Sequence, residues 1–184
     1  MTTEIVAPGT KLYSVDVKAQ AGGLSWGPLD DIVMGGVSKT ALEPGKFEGV
    51  FKGMVSTDNN GGFAGIRTKF DSPKDISSCE YFKLRVMGDG KRYKFIARDS
   101  EAWNGIAWSF SFDTSDQQWV EVTIPIKDLK PTKFARIVAD SPPFSKKRLQ
   151  GLQITLSKFE YEGKLNPNFA PGLFALNIDS IGVE

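Results

Sequence analysis

Tyr81-Phe82-Lys83-Leu84-Arg85-Val86-Met87-Gly88-Asp89-Gly90-Lys91-Arg92-Tyr93-Lys94-Phe95-Ile96-Ala97-Arg98 carries the pattern that decides the fold. Phe82, Leu84 and Val86 alternate with Lys83 and Arg85, and Tyr93, Phe95 and Ala97 alternate with Lys94, Ile96 and Arg98. Successive side chains of an extended backbone point to opposite faces, so each run predicts a strand with one face in a core and one in water. Gly88-Asp89-Gly90 between the runs predicts a hairpin turn, because Asp-Gly pairs accept the positive φ that tight connections need. A dinucleotide fingerprint would need a third glycine and a helix to follow. Position 93 is Tyr93 and a strand follows, so a nucleotide loop is excluded.

The same alternation recurs along the chain, in Trp108, Phe110 and Phe112, in Val120, Val122 and Ile124, in Leu152, Ile154 and Leu156, and in Phe174, Leu176 and Ile178. Between these runs lie Asn104-Gly105, Ser115-Asp116, Lys130-Pro131, Ser141-Pro142-Pro143 and Asn166-Pro167, all turn formers. Asn59-Asn60-Gly61-Gly62 is rich in residues that tolerate left-handed backbone, and its flanks, 51–55 and 63–70, look like paired strands. No window longer than about ten residues keeps a 3.6-residue period, so helices should be few and short. Many short strands with frequent turns predict an all-β protein, a β-sandwich or jelly roll. No repeat, low-complexity stretch or linker divides residues 1–184, so one domain is expected.

Composition removes whole classes of chemistry. The chain has no histidine, which excludes Ser-His-Asp and Cys-His catalysis and any His-ligated zinc. A lone cysteine, Cys79, forms no intramolecular disulfide and suits a reducing compartment. The 23 basic and 22 acidic residues nearly cancel, so no global field draws the protein to nucleic acid or anionic lipid. No apolar run approaches the ~20 residues of a membrane helix. Residues 1–10 carry an acid and lack the apolar core of a secretory signal. No catalytic residue, metal ligand or cofactor is expected.

Two proline-punctuated stretches, 140–148 and 159–172, read as long loops, where binding functions concentrate. Phe144, Lys146, Lys147 and Arg148 in the first and Phe159, Tyr161, Lys164 and Phe169 in the second are candidate partner-binding residues. Aromatic and basic anchors favour interfaces, although the aromatics have an equal alternative: folding back to cap the open ends of the sandwich. Trp26 and Trp103 lie in turn-like segments and are the candidate surface tryptophans, while Trp108 and Trp119 fit core or rim packing. Together with Arg67, Arg85, Arg92 and Arg98, the surface tryptophans would form a basic-aromatic face. Asp30-Asp31 reads mainly as a turn cap, with a structural calcium as the alternative.

Trp26-Gly27-Pro28-Leu29-Asp30-Asp31-Ile32-Val33-Met34-Gly35-Gly36-Val37-Ser38, then Asn59-Asn60-Gly61-Gly62-Phe63, then Gly88-Asp89-Gly90-Lys91-Arg92-Tyr93, follow one another in an order and spacing that resemble the NADH:ubiquinone oxidoreductase intermediate-associated protein 30 family. The resemblance runs from about Leu24 to Gly182. It is nearest to the version of the domain in a chloroplast photosystem II factor, on the strength of Val55-Ser56-Thr57, Asp140-Ser141-Pro142-Pro143-Phe144 and the stretch from Ser157 to Pro167. It implies a galactose-binding-like jelly roll and a non-catalytic role in assembling or scaffolding a photosynthetic membrane complex. The partners implied are protein subunits of that complex, with mRNA of a photosystem II subunit as the alternative, met peripherally at the membrane. The implied location is the plastid stroma or cyanobacterial cytoplasm, associated with thylakoids. A carbohydrate-binding module is a further alternative, since sugar binders share the jelly roll.

Overall fold

In the computed structural model, residues 2–14, 26–29, 38–44, 49–102 and 104–184 are described. Their alternating runs become the strands of two sheets packed face to face. The first sheet has eight strands, in the order β1 (Glu4–Ile5), β6 (Phe63–Asp75), β13 (Leu149–Ser157), β8 (Arg92–Arg98), β9 (Ala107–Asp113), β11 (Lys130–Lys133) and β12 (Arg136–Ile137), with β3 (Trp26–Pro28) also on β6. The second has six, in the order β10 (Trp119–Pro125), β7 (Tyr81–Met87), β14 (Gly172–Val183), β5 (Gly49–Val55) and β4 (Lys39–Pro44), with β2 (Lys11–Ser14) also on β14. Among the described strands every pairing is antiparallel except β1 on β6, which is parallel. Helix is confined, among the described residues, to three 3-10 turns at Asp58–Asn60, Ile126–Asp128 and Lys146–Arg148.

The apolar members of each run meet between the sheets. Phe82 of the second sheet lies 4.9 Å, centroid to centroid, from Phe95 of the first, and Phe51 packs on both Phe174 and Tyr93. All five are buried, as are Ile66, Leu84, Leu152, Ile154, Leu176 and Ile178. A core of this size, closed on both sides by sheet, needs no disulfide, and Cys79 is a free thiol buried within it.

Two connections differ from the sequence expectation, and for one reason. Gly88-Asp89-Gly90 is a turn, but not a hairpin: it carries the chain from β7 in the second sheet to β8 in the first. Asn59-Asn60-Gly61-Gly62 likewise joins β5 to β6 across the sandwich, although Asn59 and Asn60 do take the expected positive φ of 52° and 61°. Turn residues dictate that the chain reverses; whether the next strand pairs with the last depends on what its apolar face finds to cover. True hairpins connect β4 to β5, β8 to β9 and β11 to β12.

Asp89 fastens the first of these corners to both sheets. Its carboxylate accepts the Tyr93 hydroxyl at 3.1 Å and, where β7 has ended, the backbone N–H of Ala175 on β14 at 3.1 Å. Lys91 adds its backbone N–H and an ion pair at 3.0 Å. Burial pushes the Tyr93 hydroxyl strongly up from the ordinary phenol value, and the neighbouring carboxylate adds to this, so it stays a donor. Gly88 is required by closeness: a Cβ there would lie 2.3 Å from the Thr114 side chain, which is itself hydrogen-bonded to the Lys91 carbonyl. Asp89→Ala is expected to lower the unfolding free energy by about 2–4 kcal/mol, because the buried Tyr93 hydroxyl and the half-buried Ala175 N–H lose their acceptor. Tyr93→Phe, which removes one donor along with its need, should cost about 1 kcal/mol. Urea unfolding followed by tryptophan fluorescence measures both.

Candidate partner-binding site

The face of the first sheet that looks away from the core is unusually polar yet covered. Register places Arg67 beside Gln153 and Ile96, and Thr155 beside Lys94 and Ser111, on that outer side. Gln153, Thr155, Lys94 and Ser109 are all buried, and Ile96 is buried without belonging to the core between the sheets. Buried polar groups must find partners, and here one source of them is the chain that follows β13.

Lys94 is the centre of that contact. Its ammonium donates to the carbonyls of Phe159 at 2.7 Å and Glu160 at 2.9 Å, and sits 4.8 Å from the centre of the Tyr161 ring. Lys130 approaches the same ring at 4.5 Å. The Ser111 hydroxyl donates to Glu160 Oε2 at 2.8 Å and lies 3.2 Å from the Tyr161 hydroxyl. Arg92 grips Asp113 with two N–H groups at 2.7 and 3.0 Å, and the Asn166 amide ties the returning chain to the carbonyls of Arg92 and Ser157. Glu162 extends the contact sideways, accepting the N–H of Ile137 and giving its own N–H to Ala135 in the β11–β12 turn.

These elements bound a cavity of about 640 Å³, lined by Arg92, Ser111, Lys130, Glu160, Tyr161, Lys164 and others. Its rim is partly apolar: Leu165 is 72% exposed and Ile137 43%. Phe134, 71% exposed, tips the β11–β12 turn beside them. Desolvation lowers the Lys94 ammonium to about 8, opposed by the nearby Glu160 carboxylate. The Arg92 fork holds Asp113 below the usual carboxylate range, and burial raises the Tyr161 phenol. Among the described residues, no three acidic or cysteine side chains converge in a way that would hold a metal ion. No helix of the described residues is long and apolar enough to cross a membrane.

Comparison with known proteins bears on both fold and family. The family model described as complex I intermediate-associated protein 30 (CIA30) matches residues 15–178. The chain belongs to the CIA30 family. No curated protein matches the sequence. Among solved structures, the fold is similar to a family 11 carbohydrate-binding module of a cellulosomal cellulase from Clostridium thermocellum, at TM-score 0.63 and 18% identity over 97% of this chain and 95% of that one. The same family 11 module in complex with a β-1,3-1,4-mixed-linked tetrasaccharide gives a TM-score of 0.61 at 18% identity, over 97% of this chain and 96% of that one. A module within the agarase AgWH50C is also similar, at 0.59 and 6% identity, over 95% of this chain and 24% of that one. At such identities the likeness is one of fold, a galactose-binding-like sandwich.

In this CIA30 chain the residues singled out from sequence divide into separate places. Tyr161 and Lys164 line the cavity, and Phe159, 38% exposed, lies next to it with Lys158 near its ring. Phe169 turns back onto the core. Phe144 does the same, edge-on to the buried Trp108 at 5.7 Å. Lys146 reaches back to the Cys79 carbonyl at 2.7 Å and to Glu80 at 2.8 Å, leaving Lys147 and Arg148 exposed. The two loops leave opposite ends of the nine-residue β13, roughly 30 Å apart at a strand's rise per residue, so they form no joint surface.

Of the tryptophans, Trp108 is buried in the core as expected, and Trp26 departs from expectation. Trp26 packs against the core, edge-on to Tyr13 at 5.4 Å, and is not a surface platform. Trp119 is 38% exposed, with the Arg85 guanidinium 4.5 Å above its ring. Trp103 and Asp30-Asp31 lie outside the described residues. Arg85 stands on the second sheet and Arg67, Arg92 and Arg98 on the first, so the four arginines do not share a face. Sequence reasoning missed Lys94, Glu160 and Ile137. Lys94 falls on the solvent side of a period-2 reading, and nothing local shows that a later loop will bury it.

The depressed Lys94 ammonium makes a pH prediction. Folded, it releases its proton near pH 8; unfolded, near pH 10.5. Between those values the unfolded chain binds more protons, so stability rises with pH, whereas below pH 8 the full penalty of the buried charge persists. Relative to Lys94→Met, wild type should gain on the order of 2 kcal/mol between pH 7 and 9.5, tyrosine ionisation being common to both chains. Urea midpoints of both proteins across that range provide the check.

Proposed function

We propose that this CIA30 chain is a non-catalytic binding module that assists assembly of a photosynthetic membrane complex, and that it docks a protein subunit at the cavity between the 158–169 loop and the β11–β12 hairpin. Family membership supports an assembly-factor role. The photosystem connection is supported by the sequence blocks from Val55 to Phe63, Asp140 to Phe144 and Ser157 to Pro167, and with it a stromal or cyanobacterial cytoplasmic location at the thylakoid surface. The observation that carries the docking reading is the exposure of Ile137 and Leu165 on the rim of a charged cavity. An apolar rim beside an aromatic and several charged groups resembles the make-up of protein interfaces, which join apolar anchors to polar surroundings. Sugar stacking has less to work with, since the Tyr161 ring that lines the cavity already holds two ammonium groups close by. An mRNA client is disfavoured by the dispersal of the arginines and the balance of charge.

The test uses Ile137→Asp and Leu165→Asp, both at exposed positions where the fold tolerates charge. Wild type and variants, matched in melting temperature, are used as bait in a lysate of a photosynthetic host, with retained proteins and RNA identified. A photosystem subunit retained by wild type and reduced about tenfold or more by either variant supports the reading. Equal retention by all three, or calorimetric binding of mixed-linked β-glucan oligosaccharide with no retained subunit, overturns it.

A further inference from the structure

At the other end of the outer face, two guanidinium groups share one side of the sheet, and neither forms an ion pair among the described residues. Arg67 of β6 and Arg98 of β8 flank β13, the first opposite Gln153 and the second opposite Gly151. Their backbones are therefore two strand spacings and a two-residue offset apart, about 12 Å, with both side chains on the same side of the sheet. Two of the Arg98 nitrogens are committed: Nη1 donates to the Gly105 carbonyl at 3.2 Å and Nη2 to Gln153 Oε1 at 3.4 Å. These bonds fix the plane of the group. Its Nε, which is buried, has no acceptor.

Arg67 is exposed and makes no hydrogen bond or ion pair among the described residues. The nearby carboxylates are occupied elsewhere: Asp99 accepts the Ser145 N–H at 2.9 Å, and Glu101 pairs with Lys69 at 3.0 Å. Contrast Arg92 on the same strand as Arg98, whose fork is filled by Asp113. Burial and the charge of Arg67 both push the Arg98 guanidinium down, while Asp99 opposes them. A like-charged pair with an unpartnered buried donor is a costly arrangement by itself and a useful one when an anion bridges it.

We infer that Arg67 and Arg98 form a receptor for an oxyanion, whose oxygens accept the free Arg98 Nε–H and the Arg67 fork. Planar guanidinium groups match the spacing of carboxylate, sulfate and phosphate oxygens, which a lone ammonium would not. The site lies away from the apolar-rimmed cavity and goes beyond the docking reading, standing or falling separately from it.

The experiment follows arginine Nε–Hε resonances by ¹H–¹⁵N NMR while the folded protein is titrated with sodium phosphate, sodium sulfate or sodium acetate, holding ionic strength constant with sodium chloride. Arg98 and Arg67 should shift and saturate, while Arg92, already satisfied by Asp113, stays still. Saturation by phosphate or sulfate alone marks a phosphoryl or sulfuryl ligand; saturation by acetate too marks a carboxylate. Arg67→Gln, at an exposed position, should weaken the apparent affinity about tenfold with an unchanged amide spectrum. Arg98→Lys keeps the charge but removes the Nε–H, and should weaken it as well. Shifts that never saturate, that match those in sodium chloride, or that survive Arg67→Gln unchanged overturn the site.

Discussion

The carboxylate of Asp89 receives a hydroxyl from one sheet and a backbone N–H from the other, and the corner it occupies is where the chain first passes from β7 to β8. Few positions join so much. Tyr93 is wholly buried in the core and stacks at 6.2 Å on Phe112, so its hydroxyl has no access to water and depends on this one acceptor. Ala175 is where β14 outruns β7, and without Asp89 its N–H would face an end of sheet rather than a strand. The carboxylate thus stands in for the missing residues of β7. It fixes the depth at which the two sheets sit, and the aromatic contacts between them follow from that depth.

A different kind of force holds the loop that shapes the cavity. The segment after β13 contributes little to the core apart from Phe169; it is held by Lys94, Ser111 and Asn166 through hydrogen bonds to backbone and carboxylate. Polar fastening of this sort is directional and weak per bond, which positions a loop without demanding that its own apolar residues be buried. Lys94 gives up hydration to do this, and its lowered proton affinity records the cost.

How much of this could be read from sequence depends on whether the signal was local. Alternation in Phe82–Val86, Tyr93–Ala97 and Leu152–Leu156 gave strands with the correct inward face, because period 2 is a property of the backbone itself. Gly88-Asp89-Gly90 revealed a turn but not its destination, since the choice between pairing and crossing over rests on residues such as Ala175, far along the chain. The loop carrying Tyr161 and Lys164 was legible from its prolines, and its partners Lys94, Ser111 and Ile137 were not, because each lies in a strand whose pattern looks ordinary. Aromatic content alone misled at Trp26, which the core absorbs, whereas Phe144 and Phe169 take the capping alternative that the sequence leaves open.

Leu165 stays exposed while Phe144 and Phe169 fold back, and the backbone explains the difference. Tyr161-Glu162-Gly163-Lys164 is a two-residue hairpin turn with both central residues left-handed, at φ 55° and 75°, closed by the Lys164 N–H on the Tyr161 carbonyl at 3.1 Å. The Glu160 N–H returns to the Lys164 carbonyl at 2.8 Å, and Phe159 and Leu165 face each other across the bridge. In such a ribbon side chains alternate, so with Asn166 turned inward to bond β8, its neighbour Leu165 is turned outward. The β11–β12 turn repeats the arrangement, with Phe134 and Ala135 left-handed at φ 50° and 61° and Phe134 left in solvent. Exposure at these positions is therefore imposed by two small, well-bonded ribbons rather than by slack in a loop. A rigidly presented apolar group loses little conformational entropy when it is covered, which is the property a docking surface needs.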